Sequence, residues 1–463
     1  MTITEAGTAL RRRTTSCIQL VEDCLAKIED MNPDLNAFIT VMADSARSRA
    51  AELDKELANG VDRGPLHGIP IAHKDLICVK GQRCTSGSKV FEEYVPDFDA
   101  TVAVRLHDAG AVTLGKTGLH EIAYGITSAN PHFGVIRNSH DRERIPGGSS
   151  GGSGVAVATG MALMATGTDT GGSIRIPASF CGVVGLKPTY GRVSRHEVKP
   201  LGMSLDHIGP LTQTVRDAAI AYNAMAGYDD RDPSSNRRPT AKYVPPAPCS
   251  IAGLRIGIPR NYYLDAVAPE VRAAFDRMAK LSESLGAELV PVQVPDVDAL
   301  NVVARTLLLV EASAVFEPYL ASREKFGDDV LALLDQGRLV PATDYFNAQR
   351  LRRHFIQEWG LIFDTVDCLL TPTTPTAAPL IGQKQMELDG QMHDVRLATT
   401  RFMRAINVLG LPALSIPCGK TTGGLPIGLQ IVGRAFEEDM ALRLGAALED
   451  EIRDSTLNPH FRP

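Results

Sequence analysis

GGSSGGSGVAVATGMALMATGTDTGGS, residues 147–173, carries two serines in two separate glycine-rich loops, with one helix and one strand between them. A helix over 153–161 rises about 13 Å at ~1.5 Å per residue. A strand over 163–168 returns about 20 Å at ~3.3 Å per residue, so the two legs nearly cancel and Ser149 and Ser173 come back together. Glycines on either side open backbone angles closed to other residues and let a ligand approach the main chain. Successive free N–H groups in such a loop hold an anion. Ser173, after Gly171 and Gly172 and ahead of the helix-compatible run SIRIPASF, is therefore a candidate nucleophile beside an oxyanion hole.

A serine hydroxyl needs a base. Upstream, Gly68-Ile69-Pro70-Ile71-Ala72-His73-Lys74-Asp75-Leu76 places Lys74 among apolar neighbours. Burial disfavours the ammonium form, and moving a lysine from ~10.4 to near 7 takes about 4 kcal/mol, within what burial supplies. On spacing alone, a lysine at a strand end that snorkels to water is the better reading.

These stretches resemble the amidase signature family. The likeness rests on GGSSGGS at 147–153, GTDTGGSIR at 167–175, Lys74 in GIPIAHKD, and CGVVGLKPTYGRVS at 181–194. It runs from about Leu20 to LPIGLQIVG at 425–433 and is weakest between about 230 and 350. The resemblance implies a Ser-cisSer-Lys triad, with Ser173 forming the acyl-enzyme, Ser149 bridging after a cis peptide bond, and Lys74 as base. It also implies an oxyanion hole from the N–H groups of Thr170, Gly171, Gly172 and Ser173. Ser150, Asp169 and Arg175 are expected to support the site, with Asp169 holding the loop by pairing with Arg175. Ala123, Tyr124, Gly125 and Ile126 are expected to face the acyl group, although core packing is an equal reading for Tyr124. No metal or cofactor is expected.

Competing motifs are weaker. Gly147-Gly148-Ser149-Ser150-Gly151 satisfies G-x-S-x-G and would make Ser149 the nucleophile, but that elbow follows a strand, whereas DRERIP precedes it here. Ser86–Lys89 and Lys116–Gly118 match S-x-x-K and K-T-G without an S-D-N between them. Asp169-Thr170-Gly171 has no second copy to supply an aspartic-protease partner. The glycine run lacks the G-K-[ST] of a phosphate loop, which leaves a nucleotide-binding module as the alternative of another class.

Within the family, the competitor is the glutaminase subunit of tRNA-dependent amidotransferase. That subunit typically reads IRQPA where this chain has Ile174–Ala178, and its glutamine-binding aspartate falls on Thr400. Arg352 in AQRLRR does resemble the arginine that receives the glutamine carboxylate. The expectation is a stand-alone amidase with a small-molecule amide substrate and no nucleic-acid or membrane partner.

Composition agrees. The chain has 463 residues, 44% hydrophobic and 22% charged, with a net charge of −6 that argues against general affinity for nucleic acid or anionic membranes. Eight cysteines without a C-x-x-C pair, behind an N-terminus with no apolar run, suggest reduced thiols in a cytoplasmic protein. The eleven histidines show no metal spacing, so His73 reads as a packing neighbour of Lys74. A homodimer follows only from the resemblance.

Ser16 with Gln19 reads as a capping box opening a helix that ends near Asn32-Pro33. Further helices are expected at about 43–58, 99–109, 215–226, 269–285 and 437–451. Strands are expected at 69–72, 111–114, 163–168, 254–258, 287–294, 366–371, 413–416 and 427–432. The alternation predicts an α/β fold, and the resemblance sharpens it to one large mixed sheet between helical layers, in a single domain. Within it we expect a catalytic core at 60–228, a proline-rich connector at 228–249, a variable covering lobe at 252–360, and a return to the sheet at 361–463. The longest apolar stretch, near 155–165, reads as a core helix too short to span a bilayer.

Overall fold

The computed structural model describes residues 1–454, so the last nine residues of the expected return segment lie outside the described residues. Eleven strands form one mixed sheet. Their order across it is Phe38–Val41, Val112–Thr117, Pro70–Lys74, Met164–Asp169, His207–Thr212, Val184–Lys187, Ala413–Lys420, Pro426–Gly433, Cys368–Pro372, Arg255–Pro259 and Glu288–Val292. All eight expected strands are present within a few residues at each end. Phe38–Val41, Val184–Lys187 and His207–Thr212 complete the sheet.

Helices cover both faces. Ser415 and Gln430 are register partners on adjacent strands, and Gln430 reaches Arg175 of the helix Arg175–Cys181. Leu414, one residue along and so pointing the other way, meets Gly445 of the helix Glu438–Asp454. The two helices therefore sandwich the sheet.

Helix boundaries near the site follow from local chemistry. Gly151–Ala158 is short and glycine-rich because it docks against main chain: a Cβ on Gly152 would stand 2.4 Å from the Ala37 carbonyl and 2.6 Å from the Gly118 nitrogen. The first long helix departs from expectation. It runs Cys17–Leu35 through Pro33 and ends on Asn36 in the left-handed region. Ser16 caps Gln19 N–H, but Gln19 turns its side chain to Asp23, so only half of the expected box forms. The reciprocal box belongs instead to Thr2 and Glu5, which open an earlier helix, Ile3–Arg11.

The stretch 252–360 divides. Arg255–Pro259 and Glu288–Val292 extend the sheet, whereas the helices Asp328–Arg338 and Ala342–Ile362 both pack on Val297–Phe316, and Val297–Phe316 and Ala342–Ile362 also pack on Arg404–Leu409. Within Val297–Lys325 an 18-residue window has a mean hydropathy of 1.6, long and apolar enough to cross a membrane by composition, and half of that window is buried inside the protein. This helix is apolar around much of its circumference because three neighbouring helices cover it.

Candidate active site

Lys74 ends the strand Pro70–Lys74, and Thr168 and Asp169 end its parallel neighbour Met164–Asp169. The site thus lies beyond the carboxyl ends of two parallel strands, where open α/β sheets bind ligands. Lys74 is fully buried. Its Nζ contacts Ser149 Oγ at 2.7 Å, Thr168 Oγ1 at 2.8 Å and Ser150 Oγ at 2.9 Å. Burial brings its pKa from 10.5 down to about 7, against the opposing pull of Asp169 and Asp206.

A neutral amine has one lone pair and two N–H groups. Ser150 donates its hydroxyl hydrogen to the Thr168 carbonyl at 3.2 Å, which leaves its oxygen to accept from Lys74. The Ser149 hydroxyl has no other acceptor among the described residues, and its contact with Nζ is the shortest of the three. Ser149 is the hydroxyl placed to share its proton with the lysine. The Gly148–Ser149 peptide bond is cis.

Ser173 is held against this group through the main chain: Ser150 N–H donates to the Ser173 carbonyl at 3.2 Å. No hydrogen bond joins Ser173 Oγ to Ser149 among the described residues. The loop before it is fixed by Asp169. Its carboxylate accepts from Gly172 N–H at 2.8 Å and Ile174 N–H at 3.2 Å, and from Arg175 Nε and Nη2 at 2.9 and 3.0 Å. Asn407 adds bonds from its amide to Asp169 Oδ1 at 2.8 Å and to the Asp169 carbonyl at 2.9 Å. Burial alone would raise the Asp169 carboxyl, but the Arg175 charge and hydrogen bonds outweigh it and hold it well below the usual carboxylate range.

This corrects one expectation. The Gly172 N–H is committed to Asp169 and does not face an incoming oxyanion, while those of Thr170, Gly171 and Ser173 carry no hydrogen bond among the described residues. Thr170 is oriented separately, its hydroxyl donating to Asp206 at 2.6 Å.

A cavity of about 200 Å³ opens on this loop, lined by Ala123, Thr168, Thr170, Met203 and Ile208 among others. Tyr124 lines a second cavity of about 220 Å³. Gly125 and Ile126 do not flank the first cavity: a Cβ on Gly125 would fall on the His120 ring, and the Ile126 main chain packs against Gly148. His73 is buried beside Thr166, and burial, with the Lys116 charge, pushes it down to about 3, so it stays neutral. Behind it, Lys116 pairs with Asp75 at 3.0 Å with both side chains fully buried.

Sequence reasoning missed Thr168, Asp206, Asn407 and Gln430. Thr168 was within reach of a register argument: Ile71 and Ala72 pair with Met164 and Ala165, which carries Lys74 to the level of Gly167–Thr168. Asn407 and Gln430 lie more than 230 residues from Arg175 along the chain. No local pattern points to them.

A buried lysine of lowered pKa beside a serine pair, at the end of a mixed sheet clad by helices, fits an amide hydrolase. The chain belongs to the amidase family, whose model matches residues 19–442. It is 39% identical over 475 residues to a subunit of the glutamyl-tRNA(Gln) amidotransferase of Geotalea daltonii, covering 97% of this chain and 96% of that protein. It superposes with a TM-score of 0.93, at 37% identity, on a chain from a solved structure described as an unexpected vestigial protein complex revealing the evolutionary origins of an s-triazine catabolic enzyme; 97% of this chain and 98% of that one are covered. Native peptide amidase from Stenotrophomonas maltophilia superposes with a TM-score of 0.85, at 32% identity, covering 98% and 97% of the two chains.

Proposed function

We propose that this chain hydrolyses a small carboxylic amide through Ser173, with Ser149 as relay and Lys74 as base. The observation that carries the reading is the fully buried Lys74 amine 2.7 Å from Ser149, with a pKa near neutrality. Neutral Lys74 takes a proton through Ser149 as Ser173 attacks the amide carbon. The N–H groups of Thr170, Gly171 and Ser173 receive the charge on the tetrahedral oxygen. The proton returns by the same route to the leaving nitrogen, which departs as ammonia or an amine. Water then hydrolyses the acyl-enzyme to the carboxylate.

The second reading, a glutaminase subunit serving tRNA amidation, is favoured by the likeness to the glutamyl-tRNA(Gln) amidotransferase protein of Geotalea daltonii. Two positions weigh against it. Thr400 has no charge to meet an amino-acid ammonium, and its hydroxyl bonds the Arg396 carbonyl of its own helix. Arg352 donates to the carbonyls of Val408 at 2.7 Å and Ser204 at 2.9 Å. Its guanidinium is thus engaged with main chain.

The experiment is a panel of amides incubated with the purified chain and with Ser173→Ala, followed by mass spectrometry. Turnover by the chain alone, lost by at least a thousandfold in Ser173→Ala, is the expected result. Near-wild-type turnover in the variant overturns the nucleophile. Glutaminase activity seen only with partner proteins and tRNA selects the second reading.

A further inference from the structure

The cavity of about 220 Å³ beside the loop is cationic. Arg305, Arg396 and Arg404 line it with Tyr124, several leucines and one carboxylate, Asp394. Asp394 Oδ1 is occupied in capping a helix, accepting from Leu397 N–H at 2.9 Å. The guanidinium groups of Arg396 and Arg404 make no hydrogen bond or ion pair among the described residues. Arg305 has one weak bond, to Gln336 at 3.3 Å. Tyr124 is only 3% exposed, and its hydroxyl too is without a hydrogen bond among the described residues. The Arg396 guanidinium stands 5.5 Å from the centre of its ring.

Arg396 and Arg404 are half-buried and Arg305 is exposed, so the cavity gathers three cations that water reaches and that an anionic ligand would pair. Burial, with the Arg396 charge next, pushes Arg404 down to about 10, so it remains charged at neutral pH. Burial pushes the Tyr124 hydroxyl up to about 12, so it remains a donor. Planar guanidinium forks match a carboxylate bidentately, and the leucines suit a short aliphatic spacer.

The cavity adjoins the reacting centre at two points. Tyr124 follows Ala123, which lines the first cavity. Arg404 lies with its Cγ 3.5 Å from where a Cβ on Gly171 would stand, and its neighbour Met403 packs against Gly172.

We propose that this cavity receives a carboxylate of the substrate, so that the amides this chain takes are acidic ones, such as monoamides of short dicarboxylic acids. The proposal rests on Ser173 as the nucleophile only for the fate of the ligand. Binding to the arginine cavity can be read without chemistry.

The test uses full-length Ser173→Ala and calorimetric titration with malonamate, succinamate and glutaramate, each against the neutral amide of equal chain length. At least one acidic amide is expected to bind tenfold or more tighter than its neutral counterpart. That ratio should fall towards one when Arg404→Gln or, separately, Arg396→Gln is added. Cooperative melting checks the fold of each variant, and Arg404→Lys, which keeps the charge without the fork, replaces any that fails. Equal binding of acidic and neutral amides, or a preference that survives both arginine changes, overturns the proposal. If acidic amides bind with this dependence and wild-type protein hydrolyses none of them, the cavity assignment stands and the nucleophile assignment falls.

Discussion

The Gly172 N–H donates to the Asp169 carboxylate at 2.8 Å, closing the loop before Ser173 on itself three residues after Asp169, the last residue of its strand. The bond turns one N–H of the glycine run inward, and it is made within a fully buried pair with Arg175. The shape of the loop before Ser173 is thus set by a fully buried, paired carboxylate.

Asp169→Asn tests this. An amide in place of the carboxylate keeps one acceptor but sets an NH2 group among donors from Gly172, Ile174, Arg175 and Asn407. It also leaves the buried Arg175 uncompensated. Breaking such a pair costs about 3–5 kcal/mol. We expect a loss of that order in urea denaturation, together with a fall in kcat exceeding any change in KM. Unchanged stability would show that Arg175 is compensated elsewhere.

Gly172→Ala is predicted to be disruptive for two independent reasons. Its φ of +118° is disfavoured for an L side chain, and the new Cβ would stand 2.7 Å from Met403 Cγ and 2.8 Å from Ile176 Cδ1. Strain and overpacking together should cost about 1–3 kcal/mol. A wild-type melting temperature with wild-type activity would contradict the loop geometry.

Much of this fold was legible in sequence because its strands and flanking helices are short, periodic and bounded by turn residues. Val215–Met225 and Pro269–Ser284, for example, begin where the pattern begins. The covering helices were not. Val297–Phe316 buries residues on several sides, so no single apolar stripe marks it. At the site, spacing brings Ser149 and Ser173 together, and the family resemblance adds Lys74 to them. The direction of the Gly172 N–H does not, because it depends on the rotation of one peptide plane. Nor does the engagement of Arg352, whose acceptors are main-chain oxygens that any residues at 204 and 408 would supply.

The lysine makes activity and stability both fall as pH is lowered, in adjoining windows. Catalysis needs the neutral amine, so log kcat/KM should rise with unit slope below about pH 7 and level above it. For stability, the folded pKa of about 7 lies below the unfolded value near 10.4. Between the two, the unfolded chain holds a proton that the folded chain lacks. Lowering pH through that window therefore favours unfolding, by up to about 1.4 kcal/mol per pH unit. Compared at each pH with Lys74→Met, wild-type protein should lose stability from about pH 10 down to about pH 7 and change little below. A flat difference between the two would place the lysine in water in the folded state.

Thr168→Val separates the lysine's environment from the relay. The substitution removes the hydroxyl 2.8 Å from Lys74 Nζ and keeps the branched shape, while Ser149 and Ser150 remain in contact. An ammonium donates to all three oxygens, whereas a neutral amine needs only two acceptors and one donor. Losing Thr168 thus destabilises the charged form more, and the lysine pKa should fall further. The acid limb of kcat/KM should move to lower pH by about half a unit to one unit. The plateau should drop only modestly, because the Ser149 contact is untouched. A limb that stays in place would mean that water substitutes for the threonine, and a limb that moves up would mean that Thr168 donates to the neutral amine in the wild-type protein.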